Sequence, residues 1–465
     1  MHTRRHATFL WLGLLLGGAL GGCALPTGLP GLGQASSGTA AVPCSAQVDF
    51  VCDVQPIVAR HCAGCHAQDG IAPFALETYE EVSLVRARLA EVVEEGIMPP
   101  WPPSEERDCP PMQGARRLSP QDINTLVTWA RGDAAFGTPG SAPALVAQDA
   151  PEQLNLGTPD RTFTVGSDYQ PNASLADDYR CFVVDPALTS DTYLHAYEIL
   201  PGNLQMVHHV LLYMALPRDV EELGRWEAAD PQAGFECFGS PAPNIPLTLG
   251  GWVPGQRVHP FRPGDGAWMP AGSRLVVQLH YNMSRGPALD ETRVDLHFVD
   301  GPVRREIGTL PFPITSFSIP AGAQSHTASE TLGDIPAIFW SDDLALALEG
   351  VAPHMHLLGT SIGVTMEQPG MPDACLVDVP RWDFHWQGFY LFNTPSPLVF
   401  PPGSTFRLTC SWDNSPENQP VVDGTPLAPR RVTWGEGTRD EMCLAYLVLS
   451  GNPGWVQTLI TFFEL

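Results

Sequence analysis

The chain has 465 residues, a length that suits about three domains of ordinary size. Its hydrophobic fraction of 44%, with 20 Phe and 12 Trp, is enough to build packed cores, and its 47 Pro and 44 Gly favour a turn-rich, β-rich structure. The formal net charge of −26 argues against nucleic acid as a partner, because a polyanion would repel so acidic a surface.

The first 22 residues predict a lipoprotein signal peptide. An apolar run at 9–20 follows two arginines, and the next residues, Leu-Gly-Gly-Cys, resemble a bacterial lipobox in which Cys23 is acylated. An ordinary signal peptide, cut a few residues later, is the alternative. Residues 23–43 are rich in Gly, Ala, Pro and Ser and predict a flexible tether. We therefore expect an exported protein, anchored by lipid to a bacterial membrane at the periplasmic face or the cell surface.

A haem-attachment motif follows the tether. Cys62-Ala-Gly-Cys65-His66 has the pattern by which c-type haem is bound covalently. The two thiols would add to the haem vinyl groups and His66 would be an iron ligand. The spacing matters because both thiols must reach fixed points on one macrocycle. A coincidental pattern or a disulfide is the alternative interpretation.

The sixth iron ligand is expected some tens of residues downstream. We predict Met98, since a thioether ligand raises the reduction potential and suits electron transfer, with Met112 or His61 as alternatives. One helix is predicted over 83–96. A second is predicted from its end signals, with Ser at the N-cap, Pro at the first helical position and Gly at the C-cap, over 119–132.

The motif and the stretch APFALETY that follows it resemble class I cytochrome c domains, and this resemblance extends over about 44–137. It implies a small all-α haem domain, followed by a Gly- and Pro-rich linker over 138–157. Cys109 in this region is expected to pair with Cys44 or Cys52, between which the sequence does not decide.

Strand patterns dominate beyond residue 158. Four apolar residues of one strand, Leu275 to Tyr281 at every second position, are predicted to face a core, which places His280 on the opposite face. His354 and His356 project to one face of a strand because side chains repeat every two residues, so both can bind one ion. His208 and His209 are adjacent, and a regular strand would separate them. Both can be ligands only at a strand end, at a bulge, or through different ring nitrogens.

Four segments carry these ligands: VHHV at 207–210, QLHY at 278–281, HMH at 354–356 and EMC at 441–443. In their order and rough spacing they resemble the copper type II, ascorbate-dependent monooxygenases, the family of peptidylglycine α-hydroxylating monooxygenase and dopamine β-monooxygenase. The resemblance covers roughly residues 178–448. Flanking sequence segments such as Gly-Trp-Val-Pro-Gly and Trp-Asp-Asn-Ser also match.

This resemblance implies two jelly-roll-like β-sandwich domains, over 158–305 and 306–465, that face each other across an open cleft. With the haem region, the predicted fold class is a multidomain protein in which a small all-α cytochrome c domain precedes two all-β domains. The resemblance also implies a ligand set for each of two copper ions, and two disulfides: His208, His209 and His280 for the electron-transfer copper; His354, His356 and Met442 for the catalytic copper; Cys181 with Cys237, and Cys410 with Cys443. Imidazole suits both oxidation states of copper, and a thioether favours Cu(I).

The implied activity is a monooxygenase that inserts one oxygen atom from O2 into a C–H bond of a small organic substrate. Electrons would come from the haem, or from ascorbate or a redox protein. The peptide-amidating members carry an arginine where this chain has Ala352, and an asparagine where it has Leu444, so a glycine-extended peptide is not expected as the substrate. Tyr446 does match and is a candidate substrate residue.

Two other functions remain open at this stage. The chain could be a non-catalytic redox relay or copper-binding surface lipoprotein, or only the haem region could be active, with the β domains as an adhesion module.

Cys375 has no evident partner in the family. The histidines that the motifs leave over are assigned to structure or surface: His195, His259, His297, His326 and His385. For His259 and His385, a position near the cleft is the alternative.

Overall fold

The computed structural model describes residues 47–463, apart from 69, 105, 140–155, 176, 238–240, 245–246, 255–257, 284–285, 300, 333–342, 402, 423–424 and 436–438. The predicted signal peptide and tether, Cys23, Cys44 and most of the predicted linker lie outside the described residues. In the part of the chain that is described, no helix combines the length and the apolar character needed to cross a membrane.

The helices among the described residues are short. The α-helices are α1 (Gln55–His61), α2 (Tyr79–Leu84), α3 (Arg86–Glu94), α4 (Pro120–Arg131), α5 (Val220–Ala229) and α6 (Trp455–Phe463). A π-helical turn spans Phe50–Val54, and 3-10 turns span Pro217–Asp219, Phe384–Trp386 and Pro416–Asn418.

Strands make up most of the regular structure. In the first half they are β1 (Arg161–Val165), β2 (Asp177–Val184), β3 (Thr192–Leu200), β4 (Val207–Ala215), β5 (Phe235–Glu236), β6 (Leu247–Trp252), β7 (Val258–Pro260), β8 (Asp265–Met269), β9 (Arg274–Asn282) and β10 (Thr292–Phe298). In the second half they are β11 (Arg305–Pro313), β12 (Ser318–Ile319), β13 (His326–Leu332), β14 (Ala347–His354), β15 (Gly359–Glu367), β16 (Ala374–Val379), β17 (Tyr390–Leu391), β18 (Leu398–Val399), β19 (Thr405–Trp412), β20 (Val421–Val422), β21 (Thr425–Pro426), β22 (Val432–Thr433) and β23 (Leu444–Gly451).

Three sheets form two sandwich-like pairs of layers. A ten-stranded sheet has the path β1-β10-β3-β8-β11-β23-β14-β17, and the parallel pairing of β8 with β11 carries it from the first half of the chain into the second. A five-stranded sheet, β5-β2-β9-β4-β6, covers the first half of it, and a four-stranded sheet, β13-β19-β15-β16, covers the second half. Each pair of layers encloses its own apolar core. We call these the N-terminal and C-terminal β domains.

The predicted alternation of one strand is confirmed. Leu275, Val277, Leu279 and Tyr281 on β9 lie in the core of the N-terminal β domain. His280 lies on the opposite face, but it is buried there as well, because a further layer of side chains covers it. His280 thus lies on the five-stranded sheet beside β4, the strand that carries the candidate ligands His208 and His209.

The predicted fold class is wrong in its first part, the separate all-α cytochrome c domain. The helices α1 to α4 have 7, 6, 9 and 12 residues, and the residues between α3 and α4 are irregular. The physical reason is where this connection buries its apolar groups: Met112 joins the core of the C-terminal β domain, where it bridges Phe392, and Trp101 packs there too. Residues Pro43–Leu465 accordingly form one compact unit. The protein is predominantly β, with a small helical cluster packed onto its sheets.

The helix predictions had mixed outcomes. The one over 119–132 is confirmed, since Ser119 caps α4 with a reciprocal Asp122 contact and Gly132 ends it. The one over 83–96 is wrong at its start. Helix α2 begins at Tyr79, because Thr78 and Glu81 form a capping box there, and α3 follows after an irregular Val85. The sequence prediction did not take this capping box into account.

The predicted partner of Cys109 is also wrong. Cys109 forms a disulfide with Cys375, 266 residues away, which fastens the irregular connection to the C-terminal β domain. The other two disulfides in the described residues join the pairs that the family resemblance implied: Cys181 with Cys237, and Cys410 with Cys443. Cys375, which had no evident partner in the sequence, is thereby accounted for.

Candidate metal centres

A β-bulge brings the two adjacent histidines to one side. In the pairing of β4 with β9, Val207 lies opposite Tyr281 and His209 lies opposite His280, so His208 is the extra residue. A bulge re-aims a side chain that regular pleating would send to the other face. The sequence left three possibilities open for His208 and His209: a strand end, a bulge, or ligation through different ring nitrogens. The structure shows a bulge, which brings their imidazoles together with that of His280.

The three imidazoles converge through the same ring atom. His209 Nδ1 lies 3.3 Å from His208 Nδ1 and 3.3 Å from His280 Nδ1. One ligand atom from each histidine lies within 4.8 Å of the others. In a tetrahedral site with metal–nitrogen bonds of about 2.0 Å, the ligand nitrogens lie about 3.3 Å apart. We call His208, His209 and His280 the three-histidine cluster.

A carboxylate fixes the orientation of one of these rings. Asp177 Oδ1 lies 2.9 Å from His280 Nε2, and the ring of Tyr179 stacks on the His280 ring at 4.2 Å. Because a carboxylate accepts, Nε2 carries the proton and Nδ1 keeps its lone pair for a metal. Burial raises the pKa of Asp177, but the hydrogen bond and charge of His280 more than compensate and lower it overall. The carboxyl is therefore ionised at neutral pH.

The electrostatic surroundings keep the cluster neutral. Burial, followed by the neighbouring imidazoles, lowers the pKa of His208 to about 3 and that of His209 well below its ordinary value. Burial also lowers the pKa of His280, although Asp177 opposes the shift. Neutral imidazoles have a lone pair free at pH 7, as metal ligands require.

His354 and His356 lie at the end of β14, with ring centroids 5.1 Å apart. His356 Nδ1 donates to the carbonyl of Asp440 at 3.1 Å, and His354 Nδ1 donates to Gln387 Oε1. The Gln387 amide is itself fixed, because its Nε2 donates to Phe384 O at 2.8 Å. In both rings the proton is therefore on Nδ1, and Nε2 is the nitrogen whose lone pair can bind an ion. Burial, then His356, lowers the pKa of His354 to about 3.

Met442 is placed by the same strand pair. Its neighbour Glu441 is buried and accepts from the backbone N–H of His356 at 3.0 Å and from Trp412 Nε1 at 2.9 Å. Two residues beyond Met442, Leu444 pairs with His354 in the register of β14 and β23. Met442 is 9% exposed, so its thioether is shielded from solvent on the segment that adjoins both histidines. The disulfide of Cys443 adds a further restraint.

Tyr446, the candidate substrate residue, lies directly opposite Ala352 in the register of β14 and β23. Directly opposed residues share a face of a sheet, so Tyr446, Leu444, Ala352 and His354 all lie on one face. The small Ala352 side chain and the half-buried Tyr446 therefore adjoin the second histidine pair. The basic residue that clamps a peptide carboxylate in the amidating members has no counterpart at this position.

One short turn contacts both groups of ligands, and the sequence analysis missed it. His385 was assigned to structure or surface, yet its ring centroid lies 5.2 Å from that of His208. Phe384 lies 6.4 Å from the His280 ring and 6.0 Å from the His356 ring, and so stands between the two groups. Only the unassigned histidine between two aromatic residues could have drawn attention to this segment.

The haem-attachment motif follows α1. The thiols of Cys62 and Cys65 are not joined in a disulfide, and burial, then Cys65, raises the pKa of Cys62 to about 12. His66 Nδ1 donates to Phe74 O at 3.0 Å, which leaves Nε2 for iron. Met98 is half-buried on the loop after α3, and its role as the sixth ligand stays a prediction.

The motif lies against both β domains. Gln205 precedes His208 by three residues, and Gln68 follows His66 by two. The Nε2 atom of Gln205 donates a hydrogen bond to the carbonyl of Gln68 at 3.3 Å. Arg116 donates to Pro254 O at 2.6 Å, its guanidinium lies 5.9 Å from the Trp386 ring, and its charge acts on the Cys65 thiol. The predicted haem-attachment residues and the candidate metal ligands are therefore neighbours in the fold, although over a hundred residues separate them in the sequence.

Of the alternative iron ligands, Met112 is buried in the core of the C-terminal β domain and is not available to the motif. His61 is the last residue of α1 and directly precedes Cys62.

Comparisons with known proteins do not assign a family. No protein-family model matches the chain, and no curated protein matches it. Among solved structures it is similar to the major capsid protein P2 from bacteriophage PM2, at 7% identity and a TM-score of 0.23, over 63% of this chain and 97% of that chain. It is also similar to the VP2 subviral particle of infectious bursal disease virus, at 10% identity and a TM-score of 0.17, over 64% and 73% of the two chains. Likeness at this level carries no argument about function.

Proposed function

We propose that this chain is a copper-dependent monooxygenase that uses O2 to hydroxylate a C–H bond of a small organic substrate. In this proposal it carries two copper ions and one covalent c-type haem, and it receives electrons through the haem, from an ascorbate-like reductant or from a redox protein. The observation that carries the proposal is the convergence of three buried or half-buried imidazoles, in which His209 Nδ1 lies 3.3 Å from Nδ1 of both His208 and His280.

The residues fit the proposed metals. The three-histidine cluster offers three neutral nitrogens that lie within 4.8 Å of one another. His354 and His356 would offer one Nε2 atom each, and the soft sulfur of Met442 follows Glu441, which accepts from His356 N. At the second group, His354, His356 and Met442 would be three protein ligands and would leave a coordination position open, as in catalytic sites. Copper at these positions would supply one-electron redox chemistry and a binding place for oxygen.

The chain's own groups would orient the ligands and exclude water. Asp177 holds the tautomer of His280, Gln387 holds that of His354, and the carbonyl of Asp440 holds that of His356. Glu441 fixes the backbone after His354 by accepting from His356 N and Leu358 N. Such outer contacts tune both the affinity and the geometry of a metal site.

The haem proposal rests on the free thiols of Cys62 and Cys65 and on the His66 ring, whose Nδ1 proton is occupied by Phe74 O. The motif's contact with Gln205 supports the idea that it serves the cluster, because short separations favour one-electron exchange. Haem would supply that one-electron capacity.

For the substrate, the face of β14 and β23 around His354 favours a small, uncharged organic molecule. It presents Ala352 and Leu444 beside Tyr446, and none of these three carries a charge that could pair with a carboxylate or an amine.

The test is metal content followed by oxygen uptake. Wild-type protein should hold two coppers and one iron per chain, and His354→Ala and Met442→Ala should each hold less copper with iron unchanged. Reductant-dependent oxygen consumption that increases with a C–H substrate would support the monooxygenase. Two coppers without such uptake would leave a redox relay or copper-binding surface lipoprotein. Iron without copper would overturn the copper sites altogether.

A further inference from the structure

We propose that His385 is a fourth imidazole ligand of the metal held by the three-histidine cluster, supplied by the C-terminal β domain. This rests on the proposed function only in that it requires a metal ion at the cluster. Metal binding would then fasten the two β domains to each other, because three of the ligands come from strands of one domain and the fourth from a turn of the other.

The spacing of the rings supports this role. The centroids within the cluster lie 5.5 Å apart for His208 and His209, 4.7 Å for His208 and His280, and 4.6 Å for His209 and His280. His385 lies 5.2 Å from His208, inside that range, with an interplanar angle of 83°. Imidazoles that share one ion are held at such distances and are steeply inclined to each other.

The ring of His385 is also free to turn towards the ion. It is exposed, and within the described residues neither of its ring nitrogens has a hydrogen-bond partner in the protein. Its charge acts on His208, His209 and His280, so it adjoins the whole cluster rather than one member. His385 does not belong to the set whose ligand atoms lie within 4.8 Å of one another, so a rotation about its side-chain bonds is needed to bring a ring nitrogen to the ion.

The backbone that carries His385 is well restrained. Asp383 caps the turn by accepting from His385 N at 2.9 Å, and Trp382 Nε1 donates to His356 O at 3.2 Å. Gln387 in the same turn holds His354. An ion at the cluster would therefore stiffen the turn that orients a ligand of the second site, which couples the two sites energetically.

The groups around His385 favour a cation there. Asp177, ionised and hydrogen-bonded to His280, lies on the N-terminal side, and its pKa is lowered by His385 as well as by the cluster. Asp383 lies on the other side, in the same turn. Among described neighbours, the one basic side chain that contacts the turn is Arg116, which lies over Trp386. Two carboxylates, one hydrogen-bonded to His280 and the other to the backbone of His385, would thus favour a cation.

The experiment measures the affinity for cuprous ion by competition with a coloured chelator. All proteins carry His354→Ala, so that only the cluster binds tightly. We compare this background with its His385→Ala, His208→Ala and His326→Ala forms. His326 is a matched control, because it is a histidine of the same domain on β13, away from the cluster.

We expect His385→Ala to weaken cuprous-ion binding by at least about ten-fold, the lower end of what loss of an outer contact to a metal ligand brings. Free imidazole should restore most of the lost affinity, which a merely structural role for His385 would not produce. X-ray absorption of the bound copper should show one imidazole fewer in His385→Ala. His326→Ala should bind as the background does.

Two results would overturn the inference, and they separate it from the proposed function. If His208→Ala loses the copper but His385→Ala binds it as the background does, then His385 is not a ligand while the cluster remains a metal site. If the background itself binds no copper, both this inference and the proposed function fail.

Discussion

Asp177 Oδ1 lies 2.9 Å from Nε2 of His280, a residue that is fully buried. The two come from neighbouring strands, β2 and β9, whose register places Asp177 opposite Asn282 and Tyr179 opposite His280. The carboxylate therefore reaches the ring from the adjacent strand and holds its proton on the side away from the cluster. A metal-binding histidine depends on such a partner for its tautomer and for its basicity.

The first prediction concerns this carboxylate. Asp177→Ala should lower the copper affinity of the three-histidine cluster by about 10- to 100-fold, because the His280 ring loses the contact that orients it. Chelator competition measures the change. Asp185→Ala is the control, since Asp185 is an exposed carboxylate near the end of β2 whose contacts are with Arg274 and with Ala187 N rather than with a histidine of the cluster. Equal affinities in the two variants would show that Asp177 does not orient a ligand.

A second prediction concerns Gln387, whose oxygen accepts from His354. In a His208→Ala background, where the second site is measured alone, Gln387→Ala should weaken copper binding by about ten-fold or more. Gln387→Glu keeps an acceptor oxygen and should retain most of the affinity. Gln55→Ala, at the exposed start of α1, is the neutral control. If the Ala and Glu variants are equally weak, the contact acts through packing and not through the tautomer.

The disulfide of Cys109 with Cys375 gives a third prediction. It closes a loop of 266 residues, and removing a cross-link of such length should lower the free energy of unfolding by about 2–5 kcal/mol. The Cys109→Ser/Cys375→Ser double variant should also show faster amide hydrogen exchange over 104–113, because that connection loses its covalent fastening.

The control for this variant is internal. Exchange in β9 and β23, which lie in the cores of the two β domains, should stay slow. Uniform acceleration across the whole chain would mean that the disulfide stabilises the entire fold and not the docking of the helical cluster.

Local signals in the sequence were sufficient for part of this structure. The ends of α4 are encoded by Ser119, Pro120 and Gly132, and the two faces of β9 by its alternating pattern, so both could be predicted. The grouping of His208, His209 and His280 was expected from a family resemblance in the order of the histidine segments, and these three side chains do lie together.

Long-range packing accounts for what the sequence did not reveal. Met112 lies in a Pro-rich stretch that has no strand or helix pattern, and only its insertion beside Phe392 shows that this stretch belongs to a β core. His385 lies in a turn more than 170 residues beyond His208 in the chain, and no periodicity connects the two. Such contacts depend on how the sheets pack, which a pattern within a window of residues does not contain.

The last prediction concerns pH and a carboxyl far from the metal ligands. Glu306 on β11 is fully buried and accepts from the backbone N–H groups of Gly454 and Val456 at the start of α6. Burial is the largest influence, and it raises the pKa of Glu306 above its ordinary value of 4.5 in spite of those hydrogen bonds. Between the ordinary and the raised value, the folded protein binds more protons than the unfolded chain. Its free energy of unfolding therefore falls as the pH rises through this window.

Glu306→Gln removes this titration while keeping an oxygen that can accept from Gly454 N. The wild-type protein should lose stability relative to the Gln variant as the pH is raised from about 4.5 upwards, and the difference should level off once Glu306 is ionised in the folded state. Urea unfolding at a series of pH values measures both curves. Glu417→Gln, at an exposed position in a 3-10 turn, should run parallel to the wild type throughout. A Glu306→Gln curve that also ran parallel would mean that burial does not govern this carboxyl, and that its hydrogen bonds to α6 hold it ionised.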